Sequence, residues 1–394
     1  MPFADLYDPL VFRFLTAGES HGAGLVAVVE GLPAGLAVPI AGIKDELARR
    51  RLGFGRGPRM RIERDEIELL AGVRHGESLG SPVAVIIRNS EWERWSKTMS
   101  AEPAEDSGKV LTAPRPGHAD LAGMLKYDQR DARNILERAS ARETAARTVV
   151  GYLAKQLLRT IGVDVLSHVI AIGKVTAPDS PQPTFADLGL IDASEVRCFY
   201  PEAAAAMVEA IETAKADRET LGGVVEVIAY NVPTGLGSHV HWDRRLDARL
   251  AEALMSIHAI KAVEMGDGND VATRPGTHAH DEIFYEEGTY TRHTTRAGGT
   301  EGGISVGGLL RVRAAMKPIS TVLKGLQTVN TETHTAERAF YERSDTCAVP
   351  AAGVVAEQMV AIVLAQECQR VLGGDTVSDF VRNADAWRQR IADF

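Results

Sequence analysis

The sequence contains few cysteines and no closely spaced cysteine pair. Cys198, Cys347 and Cys368 are odd in number, lie far apart along 394 residues, and form no CxxC motif. Disulfide frameworks and structural zinc sites need cysteines in even-numbered or closely spaced sets. The sequence therefore predicts neither of them, and it is typical of a protein from a reducing compartment.

An excess of positive charge is also missing. The formal net charge is -9 at pH 7, whereas surfaces that bind nucleic acid or anionic membranes carry clustered Lys and Arg. Residues 1–5 show no basic segment that leads into an apolar one, and no stretch approaches the apolar length of a membrane span. We therefore expect a soluble, cytoplasmic protein that binds neither nucleic acid nor membranes.

What the sequence does contain is the composition of an ordinary globular protein, with enough length to bury a large core. Apolar periodicity predicts strands at 11–15, 25–29, 67–73, 83–88, 224–230 and 309–316, and helices at about 43–51, 131–161, 201–215, 243–255 and 349–372. Residues 89–109 are mostly polar and are predicted to form a surface excursion that carries Trp92 and Trp95.

Similar residues recur about two hundred positions apart. In each half of the chain these residues flank a predicted strand, and a predicted helix follows them. The matching positions are Glu19, Gly22, Pro33, Gly35 and Leu36 in the first half and Glu219, Gly222, Pro233, Gly235 and Leu236 in the second. We interpret this as an internal duplication of a strand-turn-helix unit, at about 10–165 and 217–375. It predicts one pseudo-symmetric domain over residues 1–394.

The stretch 18–22, Gly-Glu-Ser-His-Gly, places a carboxylate, a hydroxyl and an imidazole between two glycines that permit a tight turn. It formally matches GxSxG, the nucleophile elbow of serine hydrolases. An elbow is followed directly by a helix, whereas residues 25–29 are predicted to form a strand. A serine hydrolase is therefore the weaker alternative.

Two histidine pairs have a spacing that metal ligands can use. His239 with His241, and His278 with His280, are two residues apart, so each pair would share one face of a strand. Such pairs are common by chance, and we predict no metal site.

Arginines and loop histidines suggest a site for anions. Residues 49–59 are rich in arginine and glycine, the loop 115–120 carries Arg115, His118 and Asp120, and Arg138 and Arg142 are predicted to share a helix face. Guanidinium groups bind carboxylate and phosphate bidentately, and histidines exchange protons near neutral pH. The glycine-rich stretch 298–308 and the donors at 317–321 extend this pattern.

This inventory favours a substrate that carries phosphate and carboxylates, with elimination or transfer of the phosphate as the reaction. A non-catalytic module that binds phosphorylated metabolites is the alternative from a different class, because arginine clusters alone would support it.

Four separated segments resemble the signature segments of the chorismate synthase family. They occur in order between about residues 10 and 375, and they are 18–22 followed by Glu30-Gly31-Leu32-Pro33, then Arg115-Pro116-Gly117-His118-Ala119-Asp120, then Arg138-Ala139-Ser140-Ala141-Arg142-Glu143-Thr144, and Arg343-Ser344-Asp345. One departure is Thr346, where the family often has proline.

The resemblance implies a lyase that converts 5-enolpyruvylshikimate 3-phosphate to chorismate and phosphate, in the shikimate pathway that leads to aromatic amino acids. The reaction is an anti 1,4-elimination that uses reduced FMN without net redox change. An external reductant is expected, such as NADPH through a separate reductase, because no strand-bound GxGxxG motif is present. The family's fold is an α/β (α+β) sandwich with central helices between antiparallel sheets, and the family assembles as a homotetramer.

The resemblance also implies roles for individual residues. His21 would be the acid beside the leaving phosphate, His118 would protonate or stabilise the reduced flavin, and Asp345 would lie near flavin N5 and assist removal of the ring proton. The residues implied to line the flavin are Ser20, Arg138, Ala139, Ser140, His258, Ala259, Gly302, Lys317, Pro318, Ile319, Ser320, Thr321 and Arg343. Those implied to bind anions of the substrate, or of NADPH for the first two, are Arg50, Arg56, Arg115 and Arg142.

Overall fold

The computed structural model describes residues 12–57, 65–103, 108–340 and 345–394. Within these ranges, two antiparallel sheets enclose a layer of central helices. The first sheet contains, in spatial order, β1 (Arg13–Ala17), β2 (Gly24–Glu30), β6 (Val83–Arg88) and β3 (Glu66–Ala71). The second contains β10 (Ile260–Met265), β15 (Gly308–Met316), β9 (Gly223–Val232), β7 (Asp164–Ile172) and β8 (Val175–Thr176). The predicted α/β (α+β) sandwich is confirmed.

Short hairpins complete the strands. They are β4 (Val73–Arg74) with β5 (Glu77–Ser78), β11 (Phe284–Glu286) with β12 (Thr289–Thr291), β13 (Thr300–Glu301) with β14 (Ile304–Ser305), and β16 (Gln327–Val329) with β17 (Ala336–Arg338).

The central layer consists of α1 (Ile40–Arg51), α5 (Thr144–Arg159), α8 (Leu246–Met255) and α10 (Val349–Leu372). Helix α5 packs on β2, α10 packs on β7 and β9, and the two helices pack along each other. The remaining helices are α2 (Trp92–Trp95), α3 (Asp120–Tyr127), α4 (Arg133–Leu136), α6 (Leu188–Ala193), α7 (Pro201–Ala216), α9 (Gly276–Ala279) and α11 (Val377–Ala392).

Helix α10 is buried on nearly all sides because it lies at the centre of the molecule, and its buried residues include the polar side chains of Glu357, Gln358, Glu367 and Gln369. By length and composition alone it could cross a membrane, but 94% of its most apolar window is buried inside the protein. The expectation that no stretch approaches the apolar length of a membrane span is therefore wrong for this segment. The helix belongs to the core of the sandwich.

The helix predicted over 131–161 is broken in the middle. After α4, the chain leaves helical geometry at Ser140, where φ is -77° and ψ is 144°, and α5 begins only at Thr144. The Ser140 hydroxyl accepts a hydrogen bond from the Arg142 N–H at 3.2 Å, and such local bonds compete with helix formation. Arg138 and Arg142 consequently do not share a helix face, which corrects the prediction.

Several elements were not predicted from periodicity. Strand β7 interrupts its apolar run with Ser167 and His168, both of which are buried. Strand β10 is short and half exposed at the edge of its sheet. Helix α11 follows two glycines that read as a helix stop, and it begins where the Thr376 hydroxyl accepts a hydrogen bond from the Asp379 N–H at 3.1 Å.

The turns at 33–36 and 233–236 share one hydrogen-bond pattern. Ser78 Oγ donates to the proline carbonyl of the first turn at 2.5 Å and accepts from its leucine N–H at 2.9 Å. Ser305 Oγ makes the same two bonds with the second turn at 2.6 and 2.8 Å. This agreement supports the internal duplication, which stays a prediction.

Candidate active site

The turn at 18–22 joins β1 to β2 and is pressed against its surroundings. Gly18 has a φ of 104°, and a Cβ at this position would lie 2.3 Å from the Gly24 carbonyl oxygen. The Asn89 amide donates to the carbonyls of Glu19 at 3.1 Å and Gly22 at 2.8 Å. The glycine conformation and the amide together hold the turn in one shape. Because strand β2 follows the turn, it is no nucleophile elbow, and the hydrolase alternative loses its structural basis.

The side chain of His21 lies against a buried carboxylate. Its Nδ1 is 3.0 Å from both oxygens of Glu137, and its backbone N–H donates to Glu137 Oε2 at 2.9 Å. Arg133 Nη1 donates to Glu137 Oε1 at 3.0 Å. Burial alone would raise the pKa of Glu137, but the hydrogen bonds from His21 and the charge of Arg133 outweigh burial and lower it. Glu137 is therefore an anion at neutral pH.

An aromatic ring covers the same imidazole. The ring of Trp95 in α2 stacks on the ring of His21, with centroids 4.1 Å apart and planes inclined by 29°. Arg133 Cζ lies 5.0 Å from the centroid of the Trp95 ring, a distance at which a cation interacts with an aromatic face. The predicted surface excursion at 89–109, of which residues 104–107 lie outside the described ranges, thus contributes a side chain to the site.

The break in the helix at Ser140 sends two arginines in different directions. Arg138 is partly exposed and donates to the carbonyls of Gly18 at 3.1 Å and Thr16 at 2.9 Å. Arg142 is buried, and its Nη1 lies 2.5 Å from Asp65 Oδ1. One arginine faces the turn at 18–22, and the other is held in an internal ion pair.

Arg50 and Ser20 contact the same broken segment. Arg50 is buried and donates to Thr144 Oγ1 at 3.0 Å and to the Ala141 carbonyl at 3.1 Å. The Ser140 hydroxyl donates to Ser20 Oγ at 3.2 Å. Residues 137–144, which include the half-buried Ala139, therefore bring together the His21 turn and the end of α1.

The second predicted histidine belongs to a compact loop. His118 Nδ1 lies 2.5 Å from Asp120 Oδ1, and Arg115 donates to Asp120 from its backbone N–H, Nε and Nη2 at 3.1, 2.8 and 3.1 Å. Burial would raise the pKa of Asp120, but the hydrogen bonds from His118 and Arg115 outweigh it and hold that pKa well below its usual range. Phe340 covers Arg115, with Cζ 4.9 Å from the ring centroid.

The segment 317–321 follows β15 and contacts this loop. Lys317 Nζ donates to the Gly117 carbonyl, and Arg115 Nη1 is 3.5 Å from Thr321 Oγ1. The segment also includes Pro318, Ile319 and Ser320. Burial, followed by the nearby charge of Lys261, lowers the pKa of Lys317.

His258 lies close enough to His118 and to Arg138, which contacts the turn at 18–22, for their charges to act on it. Its Nδ1 is buried without a hydrogen-bond partner within the described ranges. Burial lowers the pKa of His258 despite the opposing charge of Glu143, and the cations Arg147 and Arg138 and the ring of His118 act in the same direction as burial. His258 is therefore neutral at pH 7.

A cleft of about 400 Å³ opens beside His258. It is lined by Phe14, Leu15, Thr16, Arg138, Glu143, Arg147, Ser256, His258 and Met359. The next residue, Ala259, has a φ of 66° and accepts a hydrogen bond from the Lys317 N–H at 2.9 Å. A side chain with this φ is uncommon, and such residues concentrate at binding sites.

Asp345 lies against the glycine-rich loop after α1. Its carboxylate pairs with Arg56 Nη1 at 2.9 Å and accepts from the Gly57 N–H at 2.6 Å. The Gly55 carbonyl accepts from the Thr346 N–H at 2.8 Å, so the threonine in place of proline supplies a donor that proline lacks. Arg343 lies outside the described residues.

Gly302 is not brought to the other predicted residues. It lies in the β13–β14 hairpin beyond the Gly308 end of β15, where Ile304 forms a bridge with Gly237. Lys317 follows the opposite end of that nine-residue strand, and nine residues of strand span about 30 Å. Among the described residues, no group of three or more His, Cys, Asp or Glu side chains could hold a metal ion.

The sequence interpretation missed Glu137, Trp95, Arg133 and Asn89. Glu137 and Arg133 appeared as ordinary members of a helical pattern, and their (i, i+4) spacing was the one available signal. For Trp95, the available signal was a large aromatic residue in an otherwise polar stretch. Nothing local distinguishes Asn89.

Comparison with known proteins gives a consistent result along the chain. A family model described as chorismate synthase matches residues 12–368. A chorismate synthase from Acidothermus cellulolyticus is 57% identical over 385 residues, which cover 96% of this chain and 98% of that protein. One from Streptomyces avermitilis is 55% identical over 383 residues, covering 95% and 97%. A crystal structure of chorismate synthase shares 40% identity with a TM-score of 0.79, covering 98% of this chain and 100% of that one.

Proposed function

The chain belongs to the chorismate synthase family of lyases, and we propose that it converts 5-enolpyruvylshikimate 3-phosphate to chorismate and phosphate. In this reaction the carbon–oxygen bond to phosphate breaks, a proton leaves a ring carbon on the opposite face, and a new carbon–carbon double bond forms. No electrons are gained or lost overall.

The observation that carries this proposal is a pair of histidines, each held by a buried carboxylate beside buried arginines. His21 contacts Glu137, and His118 contacts Asp120. The arginines that frame them are Arg50, Arg115 and Arg142. The substrate carries two carboxylates and a phosphate, and fixed cations in a water-poor site hold such charge more strongly than solvent does.

His21 is the proposed proton donor to the leaving phosphate. It lies on a turn whose backbone is fixed by Asn89, so its ring has a defined position. A positioned acid beside a leaving oxygen contributes about 10² to 10⁴-fold to the rate. Asp345, paired with Arg56, is the proposed residue that assists removal of the ring proton.

Reduced FMN is the proposed cofactor, and the residues around the His258 cleft fit it. The cleft has the size of a small-molecule site. His258 presents a buried nitrogen without a partner among the described residues, and Arg138 offers a partly exposed guanidinium for an anionic group. The flavin, when bound, would lend electron density to the substrate and recover it. His118, near His258, is the proposed residue that stabilises the reduced ring.

Other flavin contacts are proposed from the segment 317–321, from Ser20, Ala139 and Ser140, and from Arg343. Gly302 lies about one strand length from Lys317. We therefore propose that Gly302 contacts the flavin of a second copy of the chain. Arg50 and Arg56 are proposed to bind anions of the substrate or of NADPH.

We further propose that the chain works in the cytoplasm as a homotetramer. The outer face of the first sheet carries exposed apolar side chains such as Val28, which association would bury. The reductant is proposed to be external, such as NADPH acting through a separate reductase.

The test is an anaerobic assay with the full chain, reduced FMN and 5-enolpyruvylshikimate 3-phosphate. We expect chorismate absorbance and phosphate release in equal amounts. Binding of the substrate without product would instead support the non-catalytic module. Repeating the assay with oxidised FMN and no reductant is the control, and it should give no product.

A further inference from the structure

The carboxylate of Glu137 binds His21 at two places. It faces the ring at Nδ1 and accepts from the backbone N–H of the same residue. Two contacts from one carboxylate to the ring and backbone of one residue restrict rotation of the side chain. Glu137 side-chain exposure is only 2%, so water competes little for these contacts.

The charge of Glu137 determines which ring nitrogen carries the proton. An ionised carboxylate only accepts hydrogen bonds. Its partner Nδ1 must therefore be the donor, and Nε2 becomes the nitrogen that can exchange a proton with a ligand. Bond direction alone thus selects one tautomer of the neutral ring.

Trp95 and Arg133 close a circuit around this pair. Trp95 stacks on the His21 ring, the Arg133 guanidinium lies over Trp95, and Arg133 also donates to Glu137. Each of the four side chains therefore contacts two others. The stacking constrains the plane of the imidazole, and the carboxylate constrains its rotation in that plane.

We infer that Glu137 is a positioning residue that holds the Nδ1–H of His21 and directs Nε2 to the reacting atoms, with Trp95 and Arg133 fixing the ring plane. The protonated ring donates its Nε2 proton to the leaving phosphate, and the neutral ring that remains keeps its proton on Nδ1, against the Glu137 carboxylate. This inference rests on the proposed function, in which His21 is the proton donor. Stability alone does not explain why a carboxylate is buried here, since a buried ion pair is often no more stable than apolar packing. Positioning of His21 gives Glu137 a role.

The main experiment compares Glu137→Gln with the wild-type chain in the anaerobic assay. A neutral amide has one oxygen for three donors, those of the His21 ring, the His21 backbone and Arg133, so the ring loses its fixed orientation. We expect kcat to fall about 10 to 100-fold, a fraction of a full acid–base contribution. The KM should change less than about threefold, because ground-state contacts remain.

The matched control is Glu226→Gln. Glu226 is also buried, and it contacts His168 Nε2 at 3.2 Å and Arg313 Nε at 2.8 Å on the outer face of the second sheet. The chemistry of this triple is similar, but it lies outside the proposed site. We expect Glu226→Gln to lower stability and to leave kcat unchanged.

A second measurement does not depend on the folding of Glu137→Gln. In the wild-type chain labelled with ¹⁵N-histidine, the His21 resonances are identified by their loss in His21→Gln and read at a pH where the ring is neutral. The inference predicts a protonated Nδ1 and an unprotonated Nε2. A protonated Nε2, or a Glu137→Gln enzyme with wild-type kcat, overturns it. Failure of the proposed function would appear separately, as a wild-type chain that forms no chorismate.

Discussion

The two histidine–carboxylate pairs use the same chemistry but are assembled differently. His118 and Asp120 are two residues apart in one loop, whereas His21 and Glu137 are 116 residues apart. Asp120 receives three hydrogen bonds from Arg115. Glu137 receives one from the side chain of Arg133, and both its oxygens lie equally close to the His21 ring.

This difference indicates what each carboxylate does. Asp120 holds its loop together through Arg115 as much as it holds His118. Glu137 is directed mainly at His21. Substitution of Asp120 should therefore affect folding strongly, whereas substitution of Glu137 should affect turnover more than folding.

The largest expected effect comes from removing either imidazole. We expect His21→Ala and His118→Ala each to lower kcat by about 10² to 10⁴-fold, because a positioned acid or base contributes that amount. The two variants should differ in cofactor affinity. His118→Ala should weaken binding of reduced FMN, since His118 is the proposed flavin contact, and His21→Ala should leave it within about threefold. Anaerobic turnover and flavin titration measure the two quantities.

His241→Ala is the matched control for these variants. His241 Nδ1 lies 2.8 Å from Asp243 Oδ1 at the same two-residue spacing as His118 and Asp120, but both side chains are exposed. It should retain wild-type turnover and flavin affinity. Turnover near the wild-type rate in His21→Ala or His118→Ala, with folding verified by circular dichroism, would remove that residue from the proposed mechanism.

The next effect concerns stability. Asp120→Asn removes the charge that compensates the buried guanidinium of Arg115, and breaking a buried pair in this way typically costs about 3–5 kcal/mol in the free energy of unfolding. Urea denaturation near pH 7 measures this loss. Asp243→Asn, in the exposed pair, should leave stability nearly unchanged, because solvent screens the two charges.

The stability of Asp120→Asn should also depend on pH differently from the stability of the wild-type chain. Hydrogen bonds from His118 and Arg115 outweigh burial and hold the pKa of Asp120 below its ordinary value of 3.8. A carboxyl whose pKa is depressed by folding stabilises the protein fully above its unfolded pKa and loses that contribution as the pH falls toward its folded pKa. The stability difference between wild type and Asp120→Asn should therefore shrink below about pH 4. An equal difference at pH 7 and pH 3 would contradict the ion pair.

The local pair was also the one that the sequence could predict. Arg115, His118 and Asp120 lie within six residues, and proline and glycine shape the loop around them. The contact of His21 with Glu137 requires the register of β1 and β2 and the placement of α4 relative to them. Neither follows from local pattern, so only the histidine of this pair was found.

The central helices show the same limit. Helix α10 was predicted at its observed bounds because apolar residues dominate 349–372 and two glycines follow. The long pattern at 131–161 hid a break, because Ser140 forms a local hydrogen bond that apolar periodicity does not detect. That break separates Arg138 from Arg142, and it is the reason why the predicted shared face does not exist.

The smallest expected effect comes from Phe340→Leu, compared with Trp95→Leu. Both aromatic rings lie about equally far from an arginine, with 4.9 Å from Arg115 to Phe340 and 5.0 Å from Arg133 to Trp95. Losing either cation–π contact should cost about 0.5–1 kcal/mol of stability. Trp95 also stacks on His21, so Trp95→Leu should lower kcat clearly, whereas Phe340→Leu should stay within about threefold of wild type. Equal losses of kcat would mean that the arginines, and not the stacked imidazole, explain the need for an aromatic ring.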